Sequence, residues 1–222
     1  LPNYYEEPQL LTRGKGAMVA NAEGREYLDF FGGILTLGLG HCHDEVVSRV
    51  QQQIAQLGHT STLYQTENMV NVAERLAKIT PGRLKKSFFT SSGTEANETA
   101  ILLAKIFTGK QEIIALRHGY SGRSLTALSL TGHAPWRLIP TQVAGIKHAL
   151  SPYCYRCPFG LEHNDAACGY KCATDIEDLI RTETSGQPAA FIADPIQGVG
   201  GFITPPKGYF EVAVGIVRKY GG

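Results

Sequence analysis

The chain has 222 residues, of which 43% are hydrophobic and 18% are charged, and both values exclude a disordered chain and a solvated coiled coil. Lys and Arg number 21 against 20 for Asp and Glu, so the net charge of +1 excludes an overall basic surface for nucleic acid or an anionic membrane. No apolar run reaches the roughly 18 residues of a spanning helix, and no secretion signal stands at the start, so we predict a soluble, intracellular globular protein.

The first third of the chain predicts one hairpin and two helices. Residues 1–16 are polar and contain Pro and Gly, so they are expected to cover a surface. Residues 18–20 and 25–30 flank a glycine-containing turn, which is typical of a β-hairpin. Apolar residues recur every three or four positions across 44–57 and across 67–79, and each range therefore predicts a helix with one apolar face.

From residue 87 onward, apolar strands alternate with helices. Strands are predicted at 87–90, 112–116 and 189–193, and helices at 94–107, 174–186 and 207–220. Residues 123–130 fit either a short helix or a strand, and Thr174 with Glu177 predicts a capping box at the start of a helix. The alternation is typical of βαβ units, so we predict an α/β fold with a mostly parallel sheet covered by helices on both faces. A crossover helix normally leads to another strand, and a longer α/β protein is therefore expected.

The turn Ser92-Gly93-Thr94 lies between a predicted strand and a predicted helix. A helix start presents free backbone N–H groups and the positive end of the helix dipole, and Gly93 permits a close approach of the backbone. Both hydroxyl groups can also donate hydrogen bonds. The turn therefore predicts a phosphate site, while simple capping of the helix by Ser92 or Thr94 explains the same residues equally well.

Two further loops follow predicted strands, at the sheet edge where α/β proteins bind ligands. In residues 117–123, Tyr120 stands between glycines and can stack on a flat ring, while Arg123 can pair with a carboxylate. The other loop begins with Asp194 and continues into a Gly-rich segment. Considered alone, each loop is also compatible with an ordinary polar connection.

Four of the five cysteines, Cys154, Cys157, Cys168 and Cys172, have the spacing C-x2-C-x10-C-x3-C. Two close pairs can supply the four thiolates of a zinc site. The alternatives are free thiols that pack an inserted segment, and disulfides, which an intracellular compartment disfavours. We assign no metal ligand from the sequence, and the three interpretations stay open.

Five motifs follow one another along the chain in a fixed order. They are Leu28-Asp29-Phe30 with Gly32-Gly33-Ile34, then Gly40-His41, Ser92 to Glu98, Tyr120-x-Gly122-Arg123, and Pro195-Ile196-Gln197-Gly198. Together they resemble the class III aminotransferases, and residues 153–160 are most similar to the alanine–glyoxylate type 2-like branch. The resemblance covers essentially the whole chain. It implies the fold type I of pyridoxal-phosphate-dependent transferases, of which only the N-terminal part is expected here.

The resemblance implies pyridoxal 5'-phosphate as the cofactor. Ser92, Gly93 and Thr94 match the turn that holds the cofactor phosphate, and Tyr120 matches the aromatic residue that stacks on the ring. Asp194 stands where the family usually has the Glu that organises the neighbours of the ring.

On the substrate side, Arg123 matches an arginine that in some members receives a substrate carboxylate. Tyr64 matches an aromatic residue that lines the substrate site, often across the interface of a homodimer, and a homodimer is therefore implied. Ser121 stands where the family usually has His.

The resemblance also implies a transaminase that moves an amino group from an amino acid or amine to a 2-oxo acid such as glyoxylate or pyruvate. Residues 1–60 would belong to the small domain and linker, and residues 61–222 to the first half of the cofactor domain, with a Cys-rich insertion at about 151–173. The Schiff-base lysine is expected beyond Gly222, so the chain alone is predicted to be inactive. The expected compartment is the cytoplasm, or the mitochondrion in a eukaryote. A non-catalytic cofactor- or phosphate-binding fragment and a zinc-stabilised interaction module are the alternatives.

Overall fold

The structure is a computed structural model that describes residues 5–139, 142–161 and 167–222. The chain divides into two compact units, residues 1–87 and residues 88–222. The boundary near residue 60 and the insertion at about 151–173 stay predictions, and residues 162–166 of that insertion lie outside the described ranges. Among the helices described, none is both long enough and apolar enough to cross a membrane.

The described part of the first unit contains an antiparallel sheet and three helical segments. Its strands β1 (Leu11–Lys15), β2 (Met18–Asn21) and β3 (Glu26–Leu28) pair in chain order, followed by α1 (Gly32–Leu35), α2 (Asp44–Gln56) and α3 (Glu67–Ile79). The predicted hairpin and both amphipathic helices are confirmed. Strand β1 was not predicted, because glycine and charged residues interrupt its apolar pattern.

Asp29 fixes the glycine-rich segment of the first unit. Its Oδ1 accepts hydrogen bonds from the backbone N–H groups of Phe31 at 2.9 Å and Gly32 at 2.8 Å, and its Oδ2 lies 2.7 Å from His41 Nε2. The bond from Gly32 and then the contact with His41 hold the pKa of Asp29 below its usual range. Two of the motifs recognised in the sequence therefore meet in one contact.

The second unit is built on a parallel sheet. The sheet has the order β5-β4-β6, with β4 (Ile113–Leu116) between β5 (Ile146–Ala149) and β6 (Ala190–Ile192). Within the described ranges, four α-helices accompany it, namely α4 (Gly93–Thr108), α5 (Leu125–Leu130), α6 (Lys171–Glu183) and α7 (Tyr209–Lys219). Residues 123–130 thus contribute a helix rather than a strand, and the predicted α/β class is confirmed.

Strand β4 is buried on both faces because helices cover both sides of the sheet. On one face, Ile114 packs in a cluster with residues of α6 and α7, including Ile180 and Tyr209. On the other face, Ile113 packs with Ile101 of α4 and other apolar residues. Alternate residues of this strand therefore belong to two hydrophobic cores. The burial of each large aliphatic side chain stabilises the fold by about 1.5–3 kcal/mol.

The strand predicted at 87–90 is wrong. These residues form no strand, and Phe88 is 75% exposed. A strand needs a hydrogen-bonded neighbour, and the three strands described in this unit pair only with one another. An apolar run in the sequence predicts burial, but it does not provide the neighbouring strand with which these residues would have to pair.

The capping box predicted at Thr174 is also wrong, because α6 begins at Lys171. Thr174 lies inside the helix, where its Oγ1 donates to the carbonyl of Lys171 at 3.2 Å. Glu177 accepts instead from Lys219 at 2.6 Å and from the Tyr220 hydroxyl at 2.8 Å. Contacts between α6 and α7 thus replace the local pairing that the sequence pattern suggested.

Candidate active site

The start of α4 combines a cap with free donors. Ser92 Oγ accepts from the N–H of Glu95 at 3.2 Å, and Glu95 Oε2 accepts from the N–H of Ser91 at 2.7 Å. The N–H groups of Gly93 and Thr94 donate to no group in the described part of the chain. Apart from the helix itself, no described atom lies within 4 Å of a Cβ built on Gly93. The two interpretations of this turn are therefore compatible, since Ser92 caps the helix while the N–H groups of Gly93 and Thr94 remain available to a ligand.

The loop after β4 is fastened to the first turns of α4 by three side-chain hydrogen bonds. Asn97 Nδ2 donates to the Ser121 carbonyl at 2.8 Å, the N–H of Arg123 donates to Thr94 Oγ1 at 3.3 Å, and Ser124 Oγ donates to Glu98 Oε1. Thr94 Oγ1 is the acceptor in its bond, so its own hydroxyl proton remains available to a ligand. The loop and the helix start therefore form one continuous surface.

Asp194 joins this surface from the end of β6. Its Oδ2 accepts a hydrogen bond from the backbone N–H of Tyr120 at 3.1 Å. Burial raises the pKa of the Asp194 carboxyl, and the bond from Tyr120 opposes that rise. The Tyr120 ring packs edge-on against Trp136, with 6.0 Å between the ring centroids. A carboxylate one methylene shorter than the family's usual Glu thus reaches the backbone of the loop that presents Tyr120.

Other side chains hold the same loop in place. The carbonyl of Arg117 accepts from Gln197 Nε2 at 2.7 Å and also from Ser151 Oγ. Thr131 Oγ1 accepts from the N–H of Ser121 at 3.1 Å. Gln197 and Thr131 are fully buried. Gln197 lies in a recognised motif, whereas Ser151 and Thr131 stand in no motif, and only the fold brings them to the loop.

Six of the seven predicted site residues lie in the second unit. They are Ser92, Gly93, Thr94, Tyr120, Arg123 and Asp194, and all follow strands or open α4. The structure brings Thr94, the Tyr120 loop and Asp194 into one hydrogen-bonded set. Tyr64 lies in the first unit, in a turn before α3, and its side chain is exposed. The roles of all seven residues toward cofactor and substrate stay predictions.

Replacing Asp194 by Asn is expected to raise the unfolding free energy at pH 7 slightly, by less than about 1 kcal/mol because solvent still reaches the carboxylate. Asn Oδ1 can still accept from the N–H of Tyr120, while the cost of a half-buried charge disappears. The native pKa is raised above the unfolded value of about 3.9, so the wild type loses stability as pH rises through this window. Near pH 4 the unfolded carboxyl is about half protonated, so the difference in stability between the two proteins should be smaller there than at pH 7.

Urea unfolding of both proteins at pH 7 and pH 4 measures this difference. The exposed Asp178, replaced by Asn, is the matched control for the loss of a carboxylate. A variant at Asp194 that is less stable than the wild type at pH 7 would contradict the expectation, because it would mean that the charge supports the fold.

The chain is similar to known proteins over nearly its whole length. The family model for class-III aminotransferases matches residues 2–221. The chain is 42% identical over 218 residues to the mitochondrial alanine–glyoxylate aminotransferase 2 homolog 2 of Arabidopsis thaliana, covering 98% of this chain and 44% of that protein. It is 35% identical to the human mitochondrial alanine–glyoxylate aminotransferase 2, covering 99% of this chain and 46% of that protein.

A solved structure gives the same result for the fold. The thermostable (S)-enantioselective omega-transaminase from Thermomicrobium roseum superposes with a TM-score of 0.87 at 35% identity, covering 97% of this chain and 50% of that one. The chain thus spans about half the length of the relatives it matches. A family match along nearly all its residues, together with the shared pyridoxal-phosphate transferase fold, means that the chain belongs to the class-III aminotransferases.

Proposed function

We propose that the protein is a pyridoxal-phosphate-dependent transaminase that moves an amino group from an amino acid or amine to a 2-oxo acid, of the alanine–glyoxylate kind or a related one. The observation that carries the proposal is the pair of free N–H groups at Gly93 and Thr94 beside the loop that presents Tyr120. The names of the relatives, alanine–glyoxylate aminotransferases and an omega-transaminase, support the reaction class.

The start of α4 fits the phosphate of this cofactor. A phosphate needs donors, positive potential and room, and the turn offers two backbone N–H groups, a helix dipole and the open space before Gly93. The hydroxyl of Thr94 adds a third donor because its oxygen already accepts from Arg123. The bound cofactor would supply an electron sink for the reaction.

The other site residues would orient the cofactor ring and bind the substrate. Tyr120 would hold the cofactor ring by stacking on it. Asp194 would fix the position of the Tyr120 ring, because it accepts a hydrogen bond from the backbone N–H of Tyr120. The exposed Arg123 would pair with the carboxylate of the substrate. The proposal keeps Tyr64 on the substrate side, and it includes a homodimer located in the cytoplasm or, in a eukaryote, in the mitochondrion.

We call the N–H groups of Gly93 and Thr94, together with the Thr94 hydroxyl, the phosphate cradle. It is tested with pyridoxamine 5'-phosphate, which lacks the aldehyde that reacts with surface lysines. Equilibrium dialysis should give binding at least about 100-fold tighter than that of pyridoxamine, because two or more charge-assisted hydrogen bonds of about 1.5–3 kcal/mol each depend on the phosphate. Inorganic phosphate should compete. Equal affinity for the two amines would contradict the assignment of the cradle.

The reaction is tested separately, on a protein that includes the residues expected beyond Gly222, with a panel of amino donors against glyoxylate and pyruvate. A transaminase releases one oxo acid for each amino acid formed, so both products are quantified. Tight binding of the phosphorylated amine without transfer for any pair would favour the non-catalytic binding protein over the transaminase.

A further inference from the structure

The four cysteines Cys154, Cys157, Cys168 and Cys172 line a single cleft of the second unit. The cleft encloses a small volume of about 20 Å³, and its other walls are largely apolar. Cys154 begins a short 3-10 turn, Cys154–Arg156, and Cys172 lies in the first turn of α6. All five cysteines of the chain, including the exposed Cys42, are free thiols. The fold therefore gathers four thiols from two separate stretches of sequence.

Packing alone does not account for this arrangement. A cysteine that serves only as a small apolar residue fills space among its neighbours, whereas these four border an opening.

We propose that this cleft binds one Zn²⁺ ion through the four cysteine sulfurs. Zinc favours four thiolates in a tetrahedron, and two close pairs on separate segments can provide them. Each thiol gives up its proton as its sulfur binds the ion, so four protons leave and the centre carries two negative charges. The ammonium group of Lys171, which also lines the cleft, offsets part of that charge.

The ion would draw the thiols inward from the walls of the cleft. Within the described ranges, no three His, Cys, Asp or Glu side chains are yet arranged to hold a metal. Zinc binding therefore requires the four thiols to move closer together than they lie in this structure.

A bound ion at this place would support the candidate active site. Ser151 lines the cleft, and its hydroxyl donates to the carbonyl of Arg117, just before the loop that presents Tyr120. Zinc would therefore fix the segment that carries Ser151. The role is structural, and it does not depend on whether the proposed transamination is correct.

The first test uses the purified protein with zinc chloride, followed by gel filtration, metal analysis and titration of thiols under native conditions. We expect one zinc per chain, four protected thiols and one reactive thiol, Cys42. A strong chelator should expose the other four. Absence of stoichiometric zinc, equal reactivity of all five thiols, or disulfides among the four would overturn the proposal.

Variants then identify the ligands. Cys154→Ser and Cys172→Ser should each weaken zinc binding by more than the roughly 10- to 100-fold that follows loss of an outer hydrogen-bond partner of a ligand. The matched control Cys42→Ser should bind zinc like the wild type. Substitution of Co²⁺ in the unaltered protein gives a readout independent of variant folding, because four thiolates produce intense charge-transfer bands and tetrahedral visible bands. An octahedral cobalt spectrum, or equal loss in Cys42→Ser, would overturn the assignment.

Discussion

Replacing Gly93 by Asp is expected to weaken binding of pyridoxamine 5'-phosphate by at least about 100-fold while leaving the fold intact. Two unit charges about 4 Å apart repel by roughly 4 kcal/mol near a protein surface, which exceeds the 2.7 kcal/mol or so of a hundredfold change. The new carboxylate can also accept from the N–H groups that face the phosphate. The helix itself gains, because a negative charge in its first turn is favourable by about 0.3–1 kcal/mol.

Two further variants distinguish the effect of the added charge from the effect of side-chain size and from the effect of its position on the helix. Gly93→Ala places a methyl group in the space before the helix, and nothing in the described part of the chain beyond that helix lies within 4 Å of it. It should therefore keep the fold and lose only part of the affinity. Ala96→Asp adds the same charge to the exposed first turn of α4, beyond the free donors, and should lose less than about tenfold. Isothermal titration with each protein, alongside urea unfolding, measures both effects. Wild-type affinity in folded Gly93→Asp would contradict the cradle.

Local pattern was sufficient where one segment determines its own structure. Helix α3 begins and ends where the spacing of its apolar residues predicts, and Thr66 caps it through the N–H of Met69. The boundaries of α4 also follow from the sequence, since Ser92 can cap the start and Gly109 takes the left-handed conformation at the end. The turn that precedes α4 could therefore be proposed as a phosphate site before the fold was known.

The local sequence pattern gave wrong or missing predictions where a residue distant in sequence determines the structure. Residues 87–90 have the apolar run of a strand but no described strand beside them, whereas β5 has a lysine and a histidine within its four residues and still pairs with β4. Ser151 reaches the Arg117 carbonyl across 34 positions of sequence. Such contacts depend on the topology of the sheet, so no spacing rule within a single segment predicts them.

Gly122 is expected to be the position in the candidate site least tolerant of a side chain. A Cβ there would overlap Thr94 Oγ1, lie 3.0 Å from Thr94 Cβ and lie 3.1 Å from Ala127 Cβ. Its φ of +130° is also one that residues with a side chain rarely adopt. Gly122→Ala should therefore lower the unfolding free energy by about 2–4 kcal/mol, the sum of backbone strain and overpacking.

A glycine in an open helix supplies the matched control. Gly215 lies in α7, and beyond the helix itself no described atom comes within 4 Å of a methyl group placed on it, so Gly215→Ala should raise the unfolding free energy by about 0.5–1 kcal/mol. The same chemical change thus has opposite signs at the two positions. Urea unfolding of both variants measures the contrast, and destabilisation of equal size would mean that the methyl group itself, rather than Thr94, is responsible.

A double variant shows whether Thr94 is the obstacle. Thr94→Ala removes the oxygen that a Cβ at position 122 would overlap, so Gly122→Ala should cost less in that background, with a coupling of about 0.5–3 kcal/mol. The rescue should restore stability without restoring affinity for pyridoxamine 5'-phosphate, because the hydroxyl proposed to bind its phosphate is gone. Strict additivity of the two substitutions in urea unfolding would contradict direct contact between the loop and the start of α4. Recovery of affinity together with stability would mean that Thr94 fixes the loop but does not hold the phosphate.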